Sequence, residues 1–326
     1  MSNLENKIYI AGHSGLVGSS ITRRLINKKA DTIVYKSSNE LDLTSQKQVE
    51  NFFSKSKPDQ VYLCAAKVGG IHANNSFPAD FIFQNLMIQN NVINESFKSG
   101  VEKLLFLGSS CIYPRNSQQP IPESELLGSY LEKTNEPYAI AKIAGIKLCE
   151  SLNRQYGKSH NIDYRSVMPT NLYGPGDNYH HENSHVIPSL LRRFHLAKKN
   201  QEKKVIVWGD GKPFREFLFV DDLSEACEFI MNIPQIELNK FTEPMCSHIN
   251  IGSGQEYTIR EIAEIIKEVV GFNGEIIFDK SKPNGTMRKL LDSNLINNLG
   301  WSAKTDIYSG LKITYKEFLK KNEQSN

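Results

Sequence analysis

Tyr138 and Lys142 stand four residues apart, the spacing that sets two side chains on one face of a helix. A lysine ammonium beside a phenol favours the phenolate, so such a tyrosine can trade a proton near neutral pH instead of near its ordinary value of about 10. Tyr138 is therefore a candidate general acid, although the same pattern also decorates plain exposed helix surfaces. Two further groups narrow the reading. Ser109 follows an apolar run ending in Leu107-Gly108, where it can hydrogen-bond the substrate oxygen that Tyr138 protonates while Lys142 also orients a nicotinamide ribose. Upstream, Gly12-His13-Ser14-Gly15-Leu16-Val17-Gly18 joins a first strand to a first helix, where a dinucleotide pyrophosphate binds. Glycines there allow the tight turn and close backbone approach, and the helix N-terminus favours the anion.

The second strand ends in Val34-Tyr35-Lys36-Ser37-Ser38, with no carboxylate before Glu40. A carboxylate at that point would bind the ribose hydroxyls of NAD(H), whereas Lys36 can pair with a 2′-phosphate, so NADP(H) is the expected cofactor.

These residues need a scaffold. Short apolar runs alternate with longer amphipathic ones through the first half: Lys7 to Ala11, Val17 to Lys28, Thr32 to Tyr35, Gln46 to Ser56, Gln60 to Ala65, Ala79 to Ser99 and Lys103 to Leu107. This βαβ rhythm predicts an α/β fold, a doubly wound parallel sheet of Rossmann type. The helix carrying Tyr138 is expected from about Glu136 to Tyr156, with a strand from Tyr164 to Met168 after it. Residues 1–172 are thus expected as the dinucleotide-binding domain. After Tyr173-Gly174-Pro175-Gly176 the pattern turns irregular, so residues 173–320 are expected as a smaller mixed α/β lobe, with some chain returning to the sheet. Residues 321–326 look like a polar tail.

The chain has 326 residues, 39% of them hydrophobic and 23% charged, ordinary for a soluble globular protein. No run of about 18 apolar residues suggests a membrane span, and Met1 to Lys7 lacks the parts of a signal peptide. A cytoplasmic location is expected. Five cysteines without CxxC spacing read as free thiols. The net charge of +3 gives no reason to expect a nucleic-acid partner, and the basic stretch around Lys198-Lys199 and Lys203-Lys204 reads as solvated. No metal is expected from His180, His181 and His185.

Four segments carry a resemblance: Phe106 to Pro114 (FLGSSCIYP), Asn135 to Gly145 (NEPYAIAKIAG), Met168 to Pro175 (MPTNLYGP) and Asn183 to Pro188 (NSHVIP). With Trp208-Gly209, Arg215-Glu216-Phe217 and Arg288-Lys289-Leu290-Leu291-Asp292, they make nearly the whole chain similar to the GDP-L-fucose synthase family, in the extended branch of the short-chain dehydrogenase/reductases. The resemblance implies NADPH-dependent reduction at C4 of a GDP-4-keto-6-deoxy sugar, coupled to epimerisation at C3 and C5. Cys111 and His185 match the family's proton-exchanging cysteine and histidine, and the C4 ketone acidifies both adjacent C–H bonds, so such chemistry is reasonable. Asn171, Arg193, Trp208, Arg215 and Lys289 match its contacts to the nucleotide and pyrophosphate. A homodimer packed through the Ala79 to Ser99 and Tyr138 helices is likewise implied.

The chain departs from the family pattern twice. Ser14 and Ser38 stand where the family commonly has arginines on the 2′-phosphate, which leaves that role to Lys36 and keeps NAD(H) open. Ser159-His160-Asn161-Ile162 is a short insertion, expected to lengthen a surface loop. Two alternatives stay open: a C4 reductase without epimerase activity, on a hexose or a GDP-linked 6-deoxy-heptose, and a non-catalytic dinucleotide-sensing protein of the same fold. A 4,6-dehydratase is disfavoured, because Ser110-Cys111 stands where such enzymes carry an acidic pair.

Overall fold

The computed structural model describes residues 6–28, 32–180, 184–282 and 284–324. Its first half is built from β1 (Lys7–Ala11), α1 (Leu16–Lys28), β2 (Thr32–Val34), α2 (Gln46–Ser56), β3 (Gln60–Leu63), α3 (Ile71–Ser76), α4 (Pro78–Lys98), β4 (Lys103–Leu107), α5 (Glu136–His160) and β5 (Asp163–Pro169). The second half adds β6 (Asn171–Tyr173), α6 (Val186–Lys199), β7 (Lys204–Trp208), β8 (Phe214–Phe219), α7 (Val220–Asn232), α8 (Gln235–Leu238) and β9 (Ile249–Ile251). It closes with β10 (Glu256–Thr258), α9 (Ile259–Val270), β11 (Glu275–Asp279), α10 (Asn294–Asn298) and α11 (Ile307–Gln324).

The main sheet runs β2-β1-β3-β4-β5-β9, every neighbouring pair parallel. Its strands are apolar on both faces, as a sheet covered by helices on both sides requires. On β4, Leu104 and Phe106 join one core with Val92, Ile93 and Ile146, while Leu105 and Leu107 join the opposite one with Leu223 and Ile230. The alternation places Ser109 just past the C-terminal end of the central strand, the edge where ligands bind in such sheets. β9 comes from the second half of the chain and supplies the sixth strand beside β5.

The second half also forms two small sheets. β8 lies between β10, antiparallel to it, and β6, parallel to it, and β11 pairs with β7 in parallel. A third core of Leu190, Phe194, Phe217, Ile262 and Ile266 binds α6 and α9 to these strands. A Thr258 to Glu261 capping box starts α9, and Gly271 ends it in the left-handed conformation.

Two expectations are corrected. The insertion Ser159-His160-Asn161-Ile162 does not lengthen a loop: α5 continues through His160, Asn161 takes the left-handed cap position at φ 51°, and Ile162 is buried in the core. The apolar Ile162, tied back by its N–H to the Gly157 carbonyl at 3.2 Å, gives the extra turn its anchor. At the other end, residues 321–324 are not a tail but the last turn of α11. Lys321 there pairs with Glu317 one turn back at 2.7 Å; residues 325 and 326 lie outside the described residues.

Candidate active site

The loop from β1 to α1 is shaped by contacts that exclude side chains. A Cβ on Gly18 would lie 2.1 Å from the Gly12 carbonyl oxygen, and one on Gly12 would lie 2.7 Å from the Ala65 nitrogen. Gly12 also sits at φ 86°, and its carbonyl accepts from the Gly15 N–H at 3.1 Å. The turn delivers the N-terminus of the 13-residue α1 to the C-terminal edge of the sheet. This backbone cradle fits a dinucleotide pyrophosphate. His13 stacks on Tyr35 at 4.5 Å and so ties the loop to the end of β2. Lys36 is already engaged: its Nζ is 3.0 Å from Glu40 Oε1, and the other Glu40 oxygen accepts from the Ser37 N–H and hydroxyl at 2.9 and 2.8 Å. Those donors hold the Glu40 carboxyl down to about 2.

Ser109, Tyr138 and Lys142 come together. Ser109 caps the short turn 110–112, its Oγ accepting from the Cys111 N–H at 3.4 Å, and it hydrogen-bonds Tyr138. Tyr138 meets Phe81 edge-on at 6.2 Å. Lys142 is 3% exposed, and its Nζ donates to the Leu107 carbonyl at 2.7 Å, lies 4.8 Å from the Phe106 ring centre and 5.8 Å from that of Tyr138. Packing holds this geometry: a Cβ on Gly145 would strike Phe106 at 2.5 Å, so the glycine lets α5 lie close on β4. Burial pushes the Tyr138 phenol up and the Lys142 ammonium down to about 8.

Beside this triad, Cys111 lines a cleft of about 390 Å³ with Tyr113, Arg115, Gln119, Glu132 and Lys289. Burial pushes its thiol up, while the Lys289 ammonium, the Ser109 bond and Lys142 oppose that shift. Burial likewise pushes Lys289 down, against Cys111 and Glu132. A second cleft of about 300 Å³ is lined by Asn171, His185, Arg215 and Phe217. His185 sits at the N-cap of α6 without a capping bond from its side chain, and burial pushes its imidazole down. Asn171 Nδ2 donates to the Glu216 carbonyl at 2.9 Å, and the Arg215 guanidinium, which feels Lys289, donates to the Phe214 carbonyl at 2.7 Å. Lys289 thus stands between the two clefts.

Cys111 and His185 line separate clefts, and neither Arg193 nor Trp208 lines either one. Arg193 donates to the Ile206 carbonyl, and Trp208 is exposed, with Lys282 Nζ 5.5 Å from its ring. Among the described residues, no three histidine, cysteine, aspartate or glutamate side chains group as metal ligands; His181 and Asn183 lie outside those residues.

Sequence reading missed the supports of this site. Glu216 is fully buried, accepts from the N–H groups of Leu291 and Gly254 at 3.1 and 2.8 Å, and so anchors the segment that carries Lys289. It stands next to Arg215 in the sequence, where nothing local marks a buried carboxylate. Asn250, on β9, gave no local signal at all.

The NAD dependent epimerase/dehydratase family matches residues 8–252. A GDP-L-fucose synthase from Escherichia coli (strain K12) is 54% identical over 320 residues, covering 98% of each chain. GDP-L-fucose synthase 1 from Arabidopsis thaliana is 57% identical over 320 residues, covering 98% of this chain and 95% of that protein. Among solved structures, a GDP-mannoheptose C4 reductase from Campylobacter jejuni with NADP bound superposes with a TM-score of 0.87 at 39% identity, covering 98% and 99% of the two chains.

Proposed function

The chain belongs to the NAD dependent epimerase/dehydratase family, and from that premise we propose that it is a cytoplasmic enzyme that epimerises a GDP-4-keto-6-deoxy hexose at C3 and C5 and reduces it at C4 with NADPH. One observation carries the reading: a cysteine, not an acidic residue, lies in a cleft directly beside the Ser109, Tyr138 and Lys142 constellation. The likeness to the two GDP-L-fucose synthases supports the hexose.

The residues divide the work. Ser109 and Tyr138 hold the C4 oxygen. With that oxygen hydrogen-bonded, loss of the C3 or C5 proton leaves an enolate they stabilise, and return of a proton on the opposite face inverts the carbon. Cys111 and His185 are the acid and base: burial keeps the thiol protonated and the imidazole neutral at pH 7, so together they offer one donor and one acceptor. Bound NADPH supplies the hydride for C4. Tyr138 then gives its proton to the C4 oxygen, and the Lys142 ammonium stabilises the phenolate left behind.

For the cofactor, Gly12, Ser14, Gly15, Leu16, Val17 and Gly18 would cradle the pyrophosphate, and Lys36 would face the 2′-phosphate in competition with Glu40. Residues 1–172 form the dinucleotide-binding unit in this reading, and residues 173–320 mainly bind the GDP-sugar. Asn171, Arg215 and Lys289 reach the diphosphate from the clefts, and Arg193 and Trp208 serve the nucleoside. We further propose a homodimer through α4 and α5, which leave Phe83 and Ile140 exposed. Among the described residues no helix is long and apolar enough to cross a membrane.

A second reading, C4 reduction of a GDP-linked heptose without epimerisation, draws on the likeness to the heptose C4 reductase. Product NMR with GDP-4-keto-6-deoxy hexose and heptose substrates separates the two. The expected product is the reduced, doubly inverted hexose; a reduced sugar with C3 and C5 unchanged would overturn the epimerase half. A Tyr138→Phe variant that reduced the ketone at the wild-type rate would overturn the reductase half.

A further inference from the structure

The two walls of the Cys111 cleft are held together at one buried side chain. Asn250, fully buried on β9, uses every hydrogen-bonding group of its amide. Its Nδ2 donates to the Ile121 carbonyl at 2.9 Å and to the Asp292 carbonyl at 3.1 Å, and its Oδ1 accepts from the Tyr113 hydroxyl at 2.6 Å. Carbonyls only accept, so the amide orientation is fixed by its partners. The Tyr113 proton is therefore committed to Asn250, and His248 Nε2, 3.1 Å from the same hydroxyl, must be the donor of that pair. Nε2 thus carries a proton, and burial, which pushes His248 down to about 4, leaves the ring as the neutral Nε2–H tautomer at pH 7.

The three segments that meet at Asn250 are the ones that shape the cleft. Tyr113 is two residues beyond Cys111 and lines the same cleft. Ile121 bridges to the segment bearing Lys289: its N–H donates to the Leu290 carbonyl at 2.8 Å, and its carbonyl accepts from the Asp292 N–H at 2.9 Å. Gln119 adds a side-chain bond to the Leu290 N–H at 2.8 Å. The backbone N–H of Asn250 also holds Glu123 at 2.9 Å, which fixes the far end of the 119–123 segment. Ile121 and Leu291 form a short parallel bridge between the 119–123 segment and the Lys289 segment, and the Asn250 amide joins both of these to Tyr113, next to Cys111.

We propose that Asn250 is a positioning residue of the active site, tying the segment that carries Cys111 to the segment that carries Lys289 and so fixing the ammonium against the thiol for proton exchange at the sugar. This rests on the epimerase reading only for its catalytic consequence; the tie itself is independent of substrate. The other groups that face the thiol, Tyr138, Ser109 and Lys142, hang on α5 and the end of β4, not on Asn250. Lys289 in turn faces Arg215 and Glu132, which do not bond to Asn250.

The test reads the geometry and the chemistry separately. In a Cys64→Ser, Cys246→Ser background, the pH midpoint of Cys111 alkylation by iodoacetamide reports the ammonium beside the thiol. Lys289→Met should raise that midpoint, Asn250→Leu should raise it in the same sense, and the double variant should add little to either, the sign of one effect acting through the other. Additive shifts, or no shift in Asn250→Leu, would overturn the proposal. Tyr113→Phe removes the 2.6 Å bond to Asn250 together with the 3.1 Å bond from His248 and covers the case of an Asn250 variant that does not fold; an unmoved midpoint there would likewise overturn the proposal. With substrate in D₂O, Asn250→Leu should lower deuterium entry at C3 and C5 roughly tenfold while NADPH affinity by fluorescence titration stays within about twofold of wild type. Equal loss of cofactor affinity would mark a merely structural residue. Absence of deuterium entry in the wild type would refute the epimerase reading while leaving the alkylation result to judge Asn250.

Discussion

Removing the Lys142 ammonium should cost the reduction step about a hundredfold. The Nζ lies 5.8 Å from the centre of the Tyr138 ring, inside a site where Lys142 is almost fully buried. At an effective dielectric constant of about 20, a unit charge at that distance stabilises a phenolate by roughly 3 kcal/mol, which is about two powers of ten in rate. Lys142→Met keeps the apolar stem against Phe106 and deletes the charge. The same charge also titrates. Burial lowers Lys142 to about 8, so the ammonium is present below that pH and lost above it. Wild-type kcat for ketone reduction should therefore fall as pH rises through about 8, towards the level of the variant, and the variant should lack that limb. The assay is the loss of nicotinamide absorbance on a GDP-4-keto-6-deoxy sugar at saturating NADPH, from about pH 6 to about pH 10. A variant that lost less than about threefold, or that kept the same alkaline limb, would refute this account of the lysine.

Three other perturbations follow from the same geometry. Gly18→Ala would force a Cβ to within 2.1 Å of the Gly12 carbonyl; NADPH binding by fluorescence titration should drop by more than about tenfold, with a lower Tm. Glu40→Gln releases Lys36 from its ion pair, so the ratio of NADP⁺ to NAD⁺ affinity, by calorimetry, should rise several-fold, whereas Lys36→Met should lower it. Burial raises the Asp177 carboxyl to about 7 and leaves its Oδ2 without a partner among the described residues. The folded state then keeps a proton the unfolded chain has lost, so this group's contribution to stability falls as pH rises from about 4 to about 7. Asp177→Asn removes that penalty, and thermal melts should show a larger gain at about pH 8 than at about pH 5.

What the sequence disclosed and what it hid follow one physical divide. Tyr138, Lys142, Ser109 and the Gly12 to Gly18 loop were legible because their chemistry is set by local spacing: four residues on one helix, one residue past one strand, glycines at one turn. The parallel sheet was legible for the same reason, since strand and helix periods are written locally. The supports were not. Asn250 lies 137 residues from Tyr113 and 129 from Ile121, and only the return of β9 to the sheet brings them together. Glu216 is 75 residues from the Leu291 N–H it holds. The insertion after Tyr156 misled because a polar Ser-His-Asn run reads as loop until the burial of Ile162 shows what ends the helix. Lys36 was legible only in part: its charge shows in the sequence, but the ion pair with Glu40, four residues on, does not.

The central claim is that one site both exchanges protons at C3 and C5 and reduces C4. Its most direct test is to run wild-type enzyme with GDP-4-keto-6-deoxy-mannose and NADPH in D₂O and to locate deuterium in the product by NMR. Deuterium is expected at both C3 and C5, with inverted configuration at both carbons, and Cys111→Ser should lose that labelling while hydride transfer to C4 is retained. A reduced product free of deuterium at both positions would contradict the claim.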